Sequence, residues 1–361
     1  MNLRIAFAFG LLSAAATASA ASLALVPIDQ VAKDYTRAQR LVDVGQGRRM
    51  NLYCVGEGQP TVVFDGGGFD WSVTWALVQP ALAPSTRACS YDRAGLGYSD
   101  PSPRPPTPAN VVDDLHTLLD RAGIEGPLVL VGHSLGGFNM KLYAATYPQQ
   151  VVGLVLVDPS EERAKERIGS LLEERFGKEL VAKSFTDDRE SIAGAVEHFA
   201  DCLKSAEAGE LAPATPKYPR CTDPPRPQLG AEILAERARL QHAPTHQRAQ
   251  RDELLHSIYG PDRSADARYA ALFGGRRPLG DRPLVVLSSS MFDMAPPFGE
   301  LNYASMTSLH TQTAGLSSRG VRRMVPRSRH NVQIDQPQAV VDAIVEVLDE
   351  VAGKPAARSA R

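Results

Sequence analysis

The sequence predicts an α/β fold, a mostly parallel sheet with helices on both faces, and three observations carry that expectation. Leu128-Val129-Leu130-Val131 and residues 151–157 are short, almost wholly apolar runs rich in β-branched residues, as strands buried on both faces should be. From residue 60 onward such runs alternate with segments of helical spacing, which specifies crossovers between parallel strands. At 361 residues and 43% hydrophobic content the chain can bury a large core, in one large domain or two modest ones.

Taken in order, residues 1–20 read as a signal peptide: Arg4, an apolar core over 5–12, and Ala18-Ser19-Ala20 as the cleavage site. Export follows, to a secreted or periplasmic location, and no stretch reaches the ~20 apolar residues that stable membrane insertion needs. Residues 21–158 are expected to form the first part of the sheet domain. A helical or irregular lead-in precedes strands over 40–44 and 49–55, which flank Gly45-Gln46-Gly47 as an edge hairpin. The next strand, 61–64, ends in Asp65-Gly66-Gly67-Gly68, where backbone amides can approach a ligand unobstructed. A helix is expected over 75–82 and a strand over 86–91. Thr107 and Pro108 open a helix over 109–122, and strands over 128–131 and 151–157 follow.

Residues 159–282 change character. They are charged, helical in pattern and interrupted between Pro213 and Pro227, and they read as an inserted helical cap. The second part of the sheet domain, 283–351, supplies strands over 283–288 and 321–326 and a closing helix over 337–351. The small, basic tail 352–361 is expected to be disordered.

The break after the 128–131 strand carries the chemistry. Gly132-His133-Ser134-Leu135-Gly136 leads into a helical pattern, so Ser134 falls in the strand-to-helix turn of a G-x-S-x-G nucleophile elbow. Such a turn strains the serine backbone, and side chains at the flanking positions would collide across it. The Leu135 amide, at the helix N-terminus, then faces the space in front of the hydroxyl. A serine needs a base, and His330, just past the 321–326 strand, is the outstanding candidate. His133 adjoins the nucleophile, but its side chain is expected to point away. Two carboxylates stand at strand ends to orient the histidine: Asp158, favoured, and Asp293, the alternate. Asp92 and Arg93 read as structural, holding the loop beneath the site.

The balance of 39 basic and 41 acidic residues offers no field for nucleic acid. No H-E-x-x-H or zinc-like cysteine spacing is present, and neither metal nor cofactor is expected. Four cysteines permit three pairings. Cys202–Cys221, flanking one Pro-rich excursion, and Cys54–Cys89, in strands that could be neighbours, are favoured.

On Asp65-Gly66-Gly67-Gly68, the run from Tyr91 to Ser99, Gly132–Gly136 and His330 with Gln333-Ile334-Asp335-Gln336-Pro337, the chain resembles the α/β-hydrolase superfamily, specifically its esterase- or lipase-like serine hydrolases with a cap after the sixth core strand. The resemblance covers about residues 40–350 and implies that Ser134 attacks, His330 is general base and then acid, and the amides of Leu135 and Gly67 form the oxyanion hole. Where Asp65 stands the family often has histidine; the backbone donor is unaffected. Epoxide hydrolases and haloalkane dehalogenases resemble this core with aspartate in place of Ser134. The expected activity is hydrolysis of a carboxylic ester or related acyl bond of a small molecule through an acyl-enzyme. One alternative is an amidase or aminopeptidase, in which Glu161, Glu162 or Glu166 would hold a substrate amine. Another is a catalytically inactive binding protein of the same fold.

Overall fold

The structure, a computed structural model, describes residues 23–353. The expected signal peptide and residues 354–361 of the expected tail lie outside them. Eight strands form one sheet: β1 (Arg40–Gly45), β2 (Arg48–Val55), β3 (Thr61–Asp65), β4 (Ala88–Tyr91), β5 (Leu128–His133), β6 (Val151–Val157), β7 (Leu284–Ser289) and β8 (Gly320–Val325). Their spatial order is β1-β2-β4-β3-β5-β6-β7-β8. Only the β1–β2 and β2–β4 pairings are antiparallel; the others are parallel. The longer helices are α1 (Pro108–Ala122), α2 (Leu135–Thr146), α3 (Ala164–Phe176), α4 (Lys178–Glu207), α5 (Gly230–Gln241), α6 (Pro244–His256), α7 (Asp266–Phe273), α8 (Gly299–Ala314) and α9 (Pro337–Val351).

Central strands β3 and β5 are buried at every position, which is why they read as continuous apolar runs. One sheet face packs Val63, Leu130, Leu154 and Val286 against Leu115, Leu118 and Leu142 of α1 and α2. The other packs Phe64, Val131, Val155 and Leu287 against Trp75, Val340, Ile344 and Val347. Local signals fix the ends of α1. The Thr107 side chain accepts from the Asn110 N–H, Pro108 occupies the first turn, and Gly123 closes the helix at φ +75°, a left-handed cap that glycine adopts freely.

The helix expected over 75–82 is instead two short 3-10 turns, Ser72–Trp75 and Gln79–Leu82. Pro80 cannot donate to a continuing α-helical ladder, and Trp75, Val78 and Leu82 are buried against the sheet from this broken path. Both favoured cysteine pairings are present as disulfides. Cys54 and Cys89 sit directly opposite each other on β2 and β4. Cys202 near the end of α4 holds Cys221, which closes a single helical turn inside the Pro-rich stretch. Among the described residues no helix is long and apolar enough to cross a membrane.

Helices α3 to α7 all lie between β6 and β7 in the chain, and they meet the sheet domain through apolar clusters, such as Ile168 and Leu172 against Leu301 and Ile233 against Trp71, and through buried polar contacts. Trp71, just after the β3 loop, packs edge-on against His246 of α6 and under the Arg237 guanidinium of α5. His246 is 2% exposed, and neither ring nitrogen has a partner among the described residues. Burial, helped by the nearby Arg237 charge, pushes its pKa down to about 3. The unfolded chain takes up this proton below its ordinary value of about 6.5, whereas the folded chain refuses it until about 3, so stability held at neutral pH is lost as pH falls through that window. The melting temperature should therefore drop between about pH 7 and about pH 4.5, and His246→Phe should flatten the drop; an equally steep profile in thermal melts of the variant would contradict this.

Candidate active site

Six parallel strands end along one edge of the sheet, and the loops after β3, β5 and β8 meet there around a cavity of about 650 Å³. After β5 the chain turns sharply: Ser134 has φ +50° and ψ −120°, with α2 beginning at the next residue. A Cβ on Gly132 would lie 2.3 Å from the Gly136 carbonyl oxygen, and one on Gly136 would lie 2.3 Å from that of Gly66. These are the collisions that glycine avoids, and they show that the elbow and the β3 loop are packed backbone to backbone. Among the described residues, the N–H groups of Leu135 and Gly67 have no hydrogen-bond acceptor. Both residues line the cavity with Ser134.

His330 follows β8 and lines the same cavity, its side chain 56% exposed. Its Nδ1 lies 2.7 Å from Asp158 Oδ2. Asp158 follows β6 at φ +44°, and its Oδ1 accepts from the Ser289 N–H at 2.8 Å while the Ser289 hydroxyl is in reach of both oxygens. Burial works to raise the Asp158 pKa, but the His330 contact and the Ser289 bond outweigh it and hold the carboxyl below its ordinary range. Asp293, the alternate acid, is not brought to His330. The strand ends four residues earlier, and the loop carries Asp293 to the surface, where its carboxylate accepts from the Ala295 N–H.

His133 does not point away as expected. Buried at 3% exposure, it lines the cavity, donates from Nε2 to the His330 carbonyl at 2.9 Å and packs its ring 4.7 Å from that of His330. Glycine at position 67 is what admits it, since a Cβ there would meet His133 Nδ1 at 2.7 Å. Burial foremost, with His330 second, depresses its pKa to about 3, so the ring is neutral. The Ser134 hydroxyl bonds Ser160 Oγ at 3.3 Å, and Ser160 in turn accepts from the Tyr259 hydroxyl at 2.5 Å. Ser160, two residues past Asp158, had a signal in its position; Tyr259, past the end of α6, had none.

Beneath the cavity, Arg93 has the structural place expected of it. Its Nη1 donates to Asp65 Oδ1 at 2.6 Å and to the Gly66 carbonyl at 2.8 Å, and its Nη2 to the Gly67 carbonyl at 2.6 Å. Its Nε donates to Glu253 of α6. Asp92 holds Ser72 and Tyr98 by their backbone N–H groups. Glu161 and Glu162, considered as anchors for a substrate amine, face inward instead, onto Lys141 and Arg167. Neither lines the cavity, nor does Glu166. Their partner Lys141 sits on the elbow helix and is fully buried.

A family model for the alpha/beta hydrolase fold matches residues 60–304. The chain belongs to that family. An AB hydrolase superfamily protein of Gibberella zeae is 31% identical over 114 residues, 30% of this chain and 35% of that protein. The first curated relatives are matched over only 19% and 18% of their own length. Among solved structures, a thermophilic esterase from Thermogutta terrifontis is similar at TM-score 0.53 and 21% identity, covering 87% of this chain and 99% of that one. An epoxide hydrolase-type structure from Pseudomonas aeruginosa is similar at TM-score 0.57 and 18% identity, covering 87% and 97%. Both likenesses show the fold.

The close approach at Gly136 makes this α/β-hydrolase sensitive to a single methyl group. Gly136→Ala must push back the Asp65–Gly66 backbone, and overpacking of this kind costs about 1–3 kcal/mol; a denaturant midpoint equal to that of the parent protein would contradict it.

Proposed function

We propose that the protein is a serine hydrolase acting on a carboxylic ester or a related acyl bond of a small molecule. The observation that carries the reading is the convergence on one cavity of an elbow serine, a histidine bonded to a buried carboxylate, and two N–H groups without acceptors. In this reading Ser134 Oγ rotates from Ser160 toward His330, gives its proton to Nε2 and attacks the carbonyl carbon. Asp158 accepts from Nδ1–H, fixes the tautomer and stabilises the imidazolium. The Leu135 and Gly67 N–H groups take the negative charge that develops on the carbonyl oxygen. Collapse expels the leaving group with the proton from His330, and water repeats the sequence on the acyl-enzyme.

The helical segment between β6 and β7 acts as a cap in this reading. Ile192, the prolines 224, 225 and 227, Arg226, Leu254 and Tyr259 come from it to line the cavity. A volume of about 650 Å³ lies within the range of small-molecule sites. The serine in the elbow supports acyl chemistry over epoxide opening, since serine attack on an epoxide would leave an ether that water does not cleave, whereas an acyl-serine is an ester that water hydrolyses. The inward pairing of Glu161 and Glu162 removes the feature that favoured an aminopeptidase. The two disulfides support an oxidising compartment, as export would provide.

Ser134→Ala should abolish turnover of short p-nitrophenyl esters with the circular dichroism spectrum unchanged. Asp158→Asn should lower kcat by about 10⁴-fold, and Asp293→Asn should stay within roughly twofold of the parent, as an exposed substitution does. Esterase activity that survives Ser134→Ala, or a large loss confined to Asp293→Asn, would refute the assignment.

A further inference from the structure

We propose that Glu253, reaching in from the cap, is a positioning residue for the oxyanion loop, so that seating of the cap and readiness of the oxyanion hole are a single event. The proposal rests on the serine hydrolase reading above. It concerns residues 65–71, which follow β3 and carry the Gly67 amide.

This loop has little structure of its own. It bonds to itself through the Asp70 N–H, which donates to the Gly67 carbonyl at 3.1 Å. Phe69 sits at φ +68°, a left-handed conformation that a bulky residue holds only when its surroundings impose it. Those surroundings come from the cap. Glu253 Oε2 accepts from the Phe69 N–H at 2.7 Å, and the Phe69 ring packs edge-on against Phe199 of α4. Asp70 is fully buried between Arg226 and Arg237. Burial alone would raise its pKa, but the two guanidiniums outweigh burial and hold it well below the ordinary range. Trp71 is covered by Arg237 and His246. Three consecutive residues are thus each gripped from the cap.

Glu253 differs from the other grips because it reaches the oxyanion donor by two routes. One carboxylate oxygen, Oε2, takes the Phe69 N–H and Arg93 Nη2; the other, Oε1, takes Arg93 Nε. Arg93 spends its remaining donors on Asp65 and on the Gly66 and Gly67 carbonyls. The Gly67 peptide is therefore oriented by a guanidinium whose own plane is set by Glu253. All three side chains are at most 3% exposed, so these bonds are largely shielded from water, although Glu253 also borders the cavity. Asp65, where the family often has histidine, supplies the second carboxylate that this arrangement needs.

The test uses Glu253→Gln in the full-length protein. The amide matches the carboxylate in volume, yet its NH₂ must face either Arg93 Nε or the Phe69 N–H and Arg93 Nη2, donor against donor. Removing one oxyanion donor outright costs about 10²–10³ in kcat; misaiming one should cost about 10–10²-fold. The loss should fall on kcat with KM within about twofold, because the ground-state carbonyl depends on the hole less than the tetrahedral state does. A boronic acid that forms a tetrahedral adduct on Ser134 should weaken by the same factor, while inhibition by the product carboxylate stays unchanged. Glu236→Gln, which removes a cap contact to the Tyr98 hydroxyl away from the loop, should leave all of these values at parent level. Should Glu253→Gln fail to fold, Glu253→Asp serves, since it keeps the buried charge but is one methylene too short to hold Arg93 and the Phe69 N–H together; a smaller kcat loss in the same pattern is expected.

Parent-like kcat and boronate affinity in these variants would overturn the proposal, as would a rise in KM alone or an equal loss in Glu236→Gln. Labelling of Ser134 by a fluorophosphonate in the parent protein separates the two layers. A parent that labels beside a variant with unchanged kcat refutes only the role of Glu253, whereas a parent that neither labels nor turns over esters refutes the hydrolase reading and the proposal with it.

Discussion

A buried guanidinium joins the two halves of this molecule. Arg93 has left water almost completely, a transfer that is heavily unfavourable unless nearly every donor finds an acceptor. Here the acceptors are two carboxylates and two backbone carbonyls, drawn from the β3 edge on one side and from α6 on the other. A planar fork with fixed donor directions suits that task better than an ammonium would. Breaking such a cluster by removing one partner leaves the others buried and uncompensated, at about 3–5 kcal/mol. The same bonds fix where the Gly66 and Gly67 peptides point, so fold stability and site geometry share one set of contacts.

Strained backbone marks three of the loops beside the cavity. Ser134, Asp158 and Phe69 all have positive φ without being glycine, and each belongs to a loop at the carboxyl edge of the sheet. Such conformations persist only where neighbouring structure over-determines them. For Ser134 the neighbours are glycines that permit close packing. For Asp158 they are the Ser289 N–H and the N–H of Asp158 itself, bonded to the Leu287 carbonyl. His310 adds a clamp one residue on, bridging Ser288 and the Pro159 carbonyl from within α8. The sheet is therefore more than a scaffold, because the register of β6 against β7 decides where the carboxylate stands.

Much of the sheet domain was legible in the sequence because its signals are local and periodic. Fully buried parallel strands must be continuous apolar runs, and the Thr107-Pro108 start and the Gly132-x-Ser134-x-Gly136 turn are spelled within a few residues. The closing helix, expected over 337–351, occupies Pro337–Val351. Reading failed where the deciding contact is distant in the chain. Glu253 meets Arg93 across 160 positions and Arg226 meets Asp70 across 156, and no spacing rule reports such pairs. The orientation of His133 failed for a related reason. Strand alternation describes the strand, but the ring at its last residue obeys the turn that follows and the space left by Gly67. Glu162 was weighed as an anchor for a substrate amine because nothing in the spacing marks Lys141 as its buried partner.

The cavity roof is built from Pro224, Pro225 and Pro227 around Arg226, and it is moored at one end by the Cys202–Cys221 bridge. Proline fixes one backbone dihedral at each of its positions, so the ceiling is stiff before any guest arrives. In the function proposed, discrimination by such a ceiling operates through contour, with little reorganisation on entry. Selectivity could then drift by exchanging the side chains hung beneath it, Ile192 and Gln228 among them, while the elbow and its histidine stay untouched. Divergence of guest preference on a conserved chemical floor is the evolutionary latitude this ceiling provides.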